Sequence, residues 1–318
     1  MNDRDTGRSG LVAKVPKIGL ALGGGGARGL AHILVLEVFD ELGIRPHLIA
    51  GTSIGALFGS VYASGMPGFR IRAMAEETLG RRLDLARQLF AARSDPVQKV
   101  LRLLPLRSSL LNPETLIDLL IPELSNLSFS DLAIPVKVIA TDLPMHETIV
   151  LDEGPLKPAV AASIAIPLIF SPVKHQGRLL VDGGLVNPLP YEVAAEDADI
   201  TVAIDVSGAS REAEFNGRLT AVEVLMQSVQ IMQKSITRQK MLHVQPDIYV
   251  DVDLDRFGAL EFWRAKEILA AAEPVKVSLR RQLRRLLESE TVTPLSESEA
   301  SNSPPPLPPR RTRRLGRE

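Results

Sequence analysis

Residues 17–55 read KIGLALGGGGARGLAHILVLEVFDELGIRPHLIAGTSIG and alternate twice between a short apolar run and a segment with helical spacing. The apolar runs at 17–22 and 47–50 have the length of buried strands, and glycine follows each of them. A strand–helix–strand–helix order is typical of a parallel sheet covered by helices. The sequence therefore predicts an α/β fold whose first two strands place the loops that follow them at the same edge of the sheet.

The rest of the chain divides into a helical insertion, a second set of strands and a tail. Residues 66–134 are predicted to form a helical cap, within which residues 81–107 carry seven Lys or Arg and two Asp residues. Strands are predicted at 136–140, 147–151, 178–181, 200–206 and 247–252, and helices at 156–164, 219–243 and 261–287. We expect one catalytic domain over 17–289, a flexible segment at 1–16 and a disordered Pro/Arg-rich tail at 290–318.

The composition excludes several classes of protein. The chain has 37 Lys and Arg against 38 Asp and Glu, so no net charge attracts it to nucleic acid. It has no cysteine, which excludes disulfides, thiolate catalysis and cysteine-ligated metal sites. Residues 1–16 are polar and no run approaches the roughly 18 apolar residues of a membrane span. We therefore expect a cytoplasmic protein, with peripheral contact with a membrane left open.

A candidate nucleophile lies after the second predicted strand. Gly51-Thr52-Ser53-Ile54-Gly55 fits the pattern G-x-S-x-G, in which a serine on a sharp strand-to-helix turn is pushed away from the chain. Only small residues fit beside such a turn, and the helix N-terminus beneath it favours negative charge. The motif predicts that Ser53 is a nucleophile.

The glycine-rich loop after the first strand allows several interpretations. Residues 24–29 match G-x-G-x-x-G, but a dinucleotide site needs an acidic residue at the end of the second strand, where the chain has 50–53, AGTS. A phosphate-binding P-loop needs Lys followed by Ser or Thr, where this chain has Leu30-Ala31. An oxyanion hole formed by peptide N–H groups is the third interpretation. A glycine turn that only allows close packing also stays open.

The histidines offer no clear partner for the serine. They are His32, His47, His146, His175 and His243. His32 lies in the first helix and His47 begins the second strand, so we expect structural roles for both. His146 and His175 lie on predicted loops or turns and remain alternatives.

Asp182 is a more favourable candidate base. It ends an apolar strand and is followed by Gly183-Gly184, which exposes a carboxylate at the edge where the other loops lie. A partly desolvated carboxylate that accepts a hydrogen bond from Ser53 can take its proton directly. The alternative is that Asp182 only caps a helix or an Asx turn.

Four stretches in this order resemble the patatin-like phospholipase family. They are GGGGARGLAH at 23–32, GTSIGAL at 51–57, ASIAIP at 162–167 and VDGGLVNPLP at 181–190. The resemblance covers about residues 17–255. It implies a three-layer α/β/α fold with a mainly parallel central sheet, and a serine acyl hydrolase of lipase or phospholipase type. It also implies a Ser–Asp dyad without histidine, metal or cofactor, acting on a lipid ester through an acyl-enzyme.

The resemblance also implies roles for individual residues. Ser53 matches the nucleophile, Asp182 the base, and Gly24, Gly25 and Gly26 the oxyanion hole. Arg28 matches the basic residue of the glycine loop, with its role open between structural pairing and phosphate contact. The glycines that support the motifs are Gly29, Gly51, Gly55, Gly183 and Gly184, the last standing where many members have Ala.

Two other functions compete with hydrolysis. A non-catalytic lipid-binding or regulatory module on the same fold is the first, but such a module need not retain Ser53, Asp182 and the glycine loop together. A nucleotide-binding oxidoreductase is the second, and it predicts stabilisation by NAD or FAD.

Overall fold

A computed structural model of the chain describes residues 16–77, 111–208 and 221–292. Its strands are β1 (Ile18–Leu22), β2 (Leu48–Thr52), β3 (Val136–Asp142), β4 (Glu147–Leu151), β5 (Val173–His175), β6 (Arg178–Asp182), β7 (Ile200–Asp205) and β8 (Ile248–Asp251). They form one sheet in the order β5-β6-β3-β2-β1-β7-β8. The remaining strand, β4, also belongs to this sheet and pairs with β3. The neighbouring pairs β3–β2, β2–β1, β1–β7 and β7–β8 are parallel, which confirms the predicted mainly parallel sheet.

The helices follow the predicted alternation. They are α1 (Ala31–Leu42), α2 (Ile54–Ala63), α3 (Pro113–Leu120), α4 (Leu156–Ser163), α5 (Tyr191–Ala194), α6 (Ala221–Met241), α7 (Ala265–Ala272) and α8 (Pro274–Val292). Residues 68–77 are helical as well. Short 3₁₀ turns cover Gly26–Leu30, Pro122–Leu124, Phe129–Asp131, Gly183–Leu185 and Phe262–Arg264. The short elements β5 and α5 were not predicted from the sequence.

Alternate side chains of β1 point to opposite faces of the sheet, and each face packs against its own layer of helices. Leu20 and Leu22 lie in the main apolar core with α1 and α2, whereas Ala21 lies in a second core with α5. On that second side the helix lies very close, since a Cβ added to Gly19 would stand 1.9 Å from Ala194 O. Helices therefore cover both faces of the sheet, as the α/β/α prediction requires.

The central strand β3 brings two distant parts of the chain together. Residues Val138–Asp142 pair with β4 along one edge, so β2 and β6 must share the other edge. There, Thr52 of β2 pairs with Ile139 in parallel, and Asp182 of β6 pairs with Ala140 in antiparallel orientation. The ends of β2 and β6 therefore meet head to head. The expected strand end at Asp182 is confirmed, but it reaches this position because β6 runs against β3.

The predicted cap and both termini are described only in part. Residues 68–77 and α3 are helical, and Ile117, Ile121 and Leu124 are buried in the main core. Residues 1–15, 78–110 and 293–318 lie outside the described part of the chain. They include most of the predicted segment 1–16 and tail 290–318, and the basic stretch 81–107 of the predicted cap. Within the described ranges, no helix has the length and apolarity needed to cross a bilayer.

Candidate active site

Ser53 stands on a strained turn between β2 and α2. Its φ is 55° and its ψ is −122°, a conformation that L-residues rarely adopt. The turn is tight enough to require glycine on both sides. A Cβ added to Gly51 would stand 2.5 Å from Ala56 Cα, and one added to Gly55 would stand 2.1 Å from Leu22 O. The sequence pattern therefore corresponds to a real steric requirement.

A second serine holds this turn in place. The Ser53 N–H donates to Ser163 Oγ at 2.8 Å, and the Ser163 hydroxyl donates to Ile139 O at 2.5 Å. Ser163 is fully buried at the end of α4. Its hydroxyl thus ties the strained residue to the central strand of the sheet. Sequence reasoning missed this residue, although it lies within the quoted stretch ASIAIP.

The carboxylate of Asp182 lies directly beside the hydroxyl of Ser53. Ser53 Oγ donates to Asp182 Oδ2 at 2.7 Å, and Gly184 N–H donates to Asp182 Oδ1 at 2.7 Å. Asp182 therefore caps the 3₁₀ turn that follows it, as the capping interpretation predicted. The same carboxylate also lies within hydrogen-bond reach of Ser53, as a base would have to. Burial raises the pKa of Asp182 to about 6, although the hydrogen bonds from Ser53 and Gly184 act in the opposite direction.

The glycine loop lies against Ser53. A Cβ added to Gly24 would stand 3.5 Å from Ser53 Cβ. The Gly24 N–H already donates to Pro188 O at 2.9 Å, so it is not available to a ligand. The amides of Gly25 and Gly26 find no acceptor within the described ranges. Two of the three expected oxyanion-hole amides therefore remain as candidate donors.

The four stretches singled out in the sequence are joined by direct hydrogen bonds. The first is tied to the fourth by Gly24 N–H, which donates to Pro188 O. The second is tied to the fourth by the Thr52 hydroxyl, which donates to Asn187 O at 2.8 Å. The third is tied to the second through Ser163. These contacts give a physical reason why the four stretches occur together.

Arg28 and His32 lie behind the glycine loop. The Arg28 side chain is buried and its Nε donates to Gly25 O at 3.4 Å. Burial lowers the pKa of Arg28, while the carboxylates of Asp255 and Asp205 favour its charged form. His32 donates from Nε2 to Gly23 O at 2.8 Å, and burial lowers its pKa to about 4. Both residues therefore contact the main chain of the loop, and the choice between the two expected roles of Arg28 stays a prediction.

The remaining histidines do not reach the site. His146 lies in an exposed turn with φ 58°, and His175 is buried in β5. In the part of the chain that the structure describes, neither Ser53 nor Asp182 has a histidine as hydrogen-bond partner. No group of three or more His, Asp or Glu in that part is placed to hold a metal ion.

An apolar cavity of about 230 Å³ opens beside Ser53. Carbon atoms form nearly all of its wall, contributed by α2, the helical residues 68–77, α3 and the segment that follows α4. Its lining includes Gly26, Ser53, Leu57, Leu111 and Leu260. The arrangement can accommodate an apolar chain whose end reaches the Ser53 hydroxyl.

Known proteins are similar to this chain in sequence. The sequence profile described as "Patatin-like phospholipase" matches residues 20–195. An uncharacterised NTE family protein of Mycobacterium bovis is 37% identical over 211 residues, which are 63% of this chain and 53% of that protein. Patatin-like phospholipase domain-containing protein 6 of Homo sapiens is 31% identical over 205 residues, which are 64% of this chain and 14% of that protein. The chain thus spans about half the length of the mycobacterial relative and a small part of the human one.

Solved structures resemble the chain more weakly. VipD from Legionella pneumophila aligns over 87% of this chain and 67% of its own, with TM-score 0.44 and 16% identity. Human GIVD cytosolic phospholipase A2 aligns over 88% and 60%, with TM-score 0.42 and 12% identity. The profile match spans more than half of the sequence and includes the serine elbow, the glycine loop and Asp182. On that match, the chain belongs to the patatin-like phospholipase family.

Proposed function

We propose that this protein is a serine acyl hydrolase that cleaves lipid carboxylic esters, with Ser53 as nucleophile and Asp182 as general base. The observation that carries the proposal is the 2.7 Å contact between Ser53 Oγ and Asp182 Oδ2, with Ser53 lining the apolar cavity. A nucleophile and its base must lie within hydrogen-bond reach of each other, and these two do.

The first step forms an acyl-enzyme. Ser53 Oγ attacks the ester carbonyl carbon while its proton passes to Asp182 Oδ2. The tetrahedral intermediate then collapses, the bond to the alcohol breaks, and the protonated Asp182 returns its proton to the leaving alkoxide. In the second step, water gives a proton to Asp182 and attacks the acyl carbon. The fatty acid leaves, and the proton returns to Ser53.

The amides of Gly25 and Gly26 are the proposed oxyanion hole. Negative charge develops on the carbonyl oxygen during each attack, and amides fixed in advance stabilise it without reorganisation. Loss of one such donor costs about 3–4 kcal/mol of transition-state stabilisation in other hydrolases. The proposal drops Gly24 as a donor because its N–H is committed to Pro188 O.

The electrostatics of Asp182 suit a base that works near neutral pH. A carboxylate with the ordinary pKa of 3.8 takes up a proton weakly, whereas one at about 6 takes it up more readily and remains mostly ionised at pH 7. Burial of the carboxylate supplies this shift.

The cavity and the family support a lipid as substrate. A wall of carbon atoms binds an acyl chain through the hydrophobic effect and offers almost no partner for a polar or charged acyl group. The name of the human relative, a patatin-like phospholipase domain-containing protein, agrees with this substrate class. The cytoplasmic location expected from the sequence stays a prediction, which fractionation of cells that express the tagged chain would test.

Labelling by a fluorophosphonate probe tests the proposal. We expect the probe to label the wild type and Ser60→Ala, and to leave Ser53→Ala unlabelled. Ser60 is the matched control because it lies buried on the same helix and its hydroxyl has no partner within the described ranges. A wild type that takes up no label, yet binds lipid, would favour the non-catalytic module instead. Thermal stabilisation by NAD or FAD would favour the oxidoreductase.

A further inference from the structure

Three large hydrophobic side chains that line the cavity, or lie next in sequence to residues that line it, are exposed to water. Leu111 is 55% exposed and Leu260 is 37% exposed, although both line the cavity. Leu168 is 50% exposed and lies between Ile166 and Ile169, which also line it. We call Leu111, Leu168 and Leu260 the apolar rim.

Leu168 is held outward in a strained conformation. Its φ is 72°, in the left-handed region that leucine rarely adopts. The surrounding turn fixes it there, since Ile169 N–H and Phe170 N–H both donate to Ile166 O, at 3.2 Å and 3.0 Å. The chain thus maintains an unfavourable backbone in order to present a leucine that remains half exposed. Strain of this kind is concentrated at functional sites.

The geometry of the cavity indicates what meets this rim. Leu111 and Leu260 line the cavity and are also exposed to water, so the cavity reaches the protein surface beside the rim, and its wall offers an apolar chain almost only carbon contacts. Lipid acyl chains are found in a bilayer, so an enzyme that takes them up gains from an apolar contact at the opening itself.

The charge of the neighbouring sequence favours an anionic bilayer. In sequence, residues 78–110 lie between Ala75 of the cavity wall and Leu111 on the rim. The intervening stretch at 78–110 has seven basic and two acidic residues. Basic segments close to a lipid surface are attracted by anionic head groups.

We propose that the apolar rim is a membrane-contact surface, and that Leu168 enters the acyl-chain region of an anionic lipid bilayer when the enzyme takes up substrate. This inference rests on the proposed function, because it assigns the rim to the delivery of acyl chains to Ser53. A second copy of this chain is the main competing occupant of such a surface.

Co-sedimentation with vesicles of phosphatidylcholine and phosphatidylglycerol tests the rim without relying on catalysis. All variants carry Ser53→Ala, so the lipid is not consumed. We expect Leu168→Asn to lower the vesicle partition coefficient by about tenfold, since one buried leucine side chain is lost from the lipid contact. Asn tolerates the left-handed backbone at this position, and Leu168→Phe should retain binding. Val277→Asn is the matched control, because Val277 is 65% exposed on α8 and does not line the cavity.

The outcomes separate this inference from the proposed function. Hydrolysis of a water-soluble short-chain ester should be the same in wild type and in Leu168→Asn, both with Ser53 intact. Equal vesicle binding by the Ser53→Ala protein and its Leu168→Asn variant would overturn the inference, as would absence of binding by the former. A change from dimer to monomer in Leu168→Asn on size-exclusion chromatography would assign the rim to a second copy and overturn it too. A wild type that binds vesicles through Leu168 but hydrolyses no ester would support the rim as a membrane-contact surface and refute the proposed function.

Discussion

Replacing Asp182 by Asn should remove activity and at the same time make the protein more stable at neutral pH. The carboxylate is buried, and burial raises its pKa from 3.8 to about 6. Holding the ionised group in the fold therefore costs free energy. An Asn side chain can retain both local contacts, because its Oδ1 accepts from Gly184 N–H and its amide can donate to Ser53 Oγ.

The pH dependence of this effect follows from the direction of the shift. The folded-state pKa lies above the unfolded value, so the stability that Asp182 contributes is present below pH 4 and is lost as pH rises through about 6. Between pH 4 and pH 8 the wild type should lose about 2–3 kcal/mol relative to Asp182→Asn, at about 1.4 kcal/mol per pKa unit. The free energy of unfolding of the variant should therefore exceed that of the wild type by a margin that widens over this range.

Urea unfolding of both proteins at pH 4, 5, 6, 7 and 8 measures the margin. Asp118→Asn is the control, because hydrogen bonds from Ser125 and Lys157 lower the pKa of the exposed Asp118. Asp118 is then ionised in both the folded and the unfolded protein above about pH 5, so its removal should change stability by an amount that stays constant from pH 5 to pH 8. A margin between wild type and Asp182→Asn that stays constant, or that narrows as pH rises, would refute the assigned pKa and its origin in burial. Unchanged ester hydrolysis by Asp182→Asn would refute its role as base.

Four further outcomes are expected. The kcat/KM of the wild type for a soluble ester should fall about tenfold for each pH unit below about 6, as Asp182 becomes protonated; a profile that is flat from pH 4 to pH 8 would contradict this. Ser163→Ala should lower the free energy of unfolding by about 1–3 kcal/mol, because it leaves the buried Ser53 N–H without an acceptor, and should reduce kcat more than it changes KM; equal kcat would show that Ser163 does not position the nucleophile. Gly24→Ala should fold, because the added Cβ would make an ordinary contact with Ser53 Cβ at 3.5 Å. Gly25→Ala should yield little soluble protein, because its Cβ would stand 2.5 Å from Val206 O. Circular dichroism and the yield of soluble protein compare the two variants. Leu57→Trp should fill part of the cavity and lower the ratio of kcat/KM for octanoyl against butyryl esters by about tenfold, and an unchanged ratio would place the acyl chain elsewhere.

Local sequence signals predicted most of the fold. The runs at 17–22 and 47–50 form β1 and β2, because an apolar run that ends in glycine has few alternatives to a buried strand. The turn at Ser53 was predicted from the glycines on either side of it, and the structure shows that main-chain atoms leave no room for a side chain at Gly51 or Gly55. These features depend on residues close together in the sequence, where spacing alone determines the geometry.

Local sequence patterns did not predict the contacts between residues that lie far apart in the sequence. The sequence shows that a strand ends at Asp182 but not that this strand runs antiparallel to β3, because strand direction depends on pairing across the sheet. Ser163 was missed because a serine after an alanine-rich helix gives no local sign that its hydroxyl meets Ser53 N–H, 110 residues away in sequence. The commitment of Gly24 N–H to Pro188 O was missed for the same reason.

The head-to-head meeting of β2 and β6 on β3 has a consequence for how such enzymes can diversify. The spacing between the two reacting groups is fixed by neighbouring peptide units of one strand, Ile139 and Ala140, and the loops that join the segments have no part in it. Substitutions in the cavity wall that leave β2 and β6 paired with β3 should therefore change the shape of the cavity without changing the distance between Ser53 Oγ and Asp182 Oδ2. The wall and the Ser53–Asp182 pair can then be altered independently of each other.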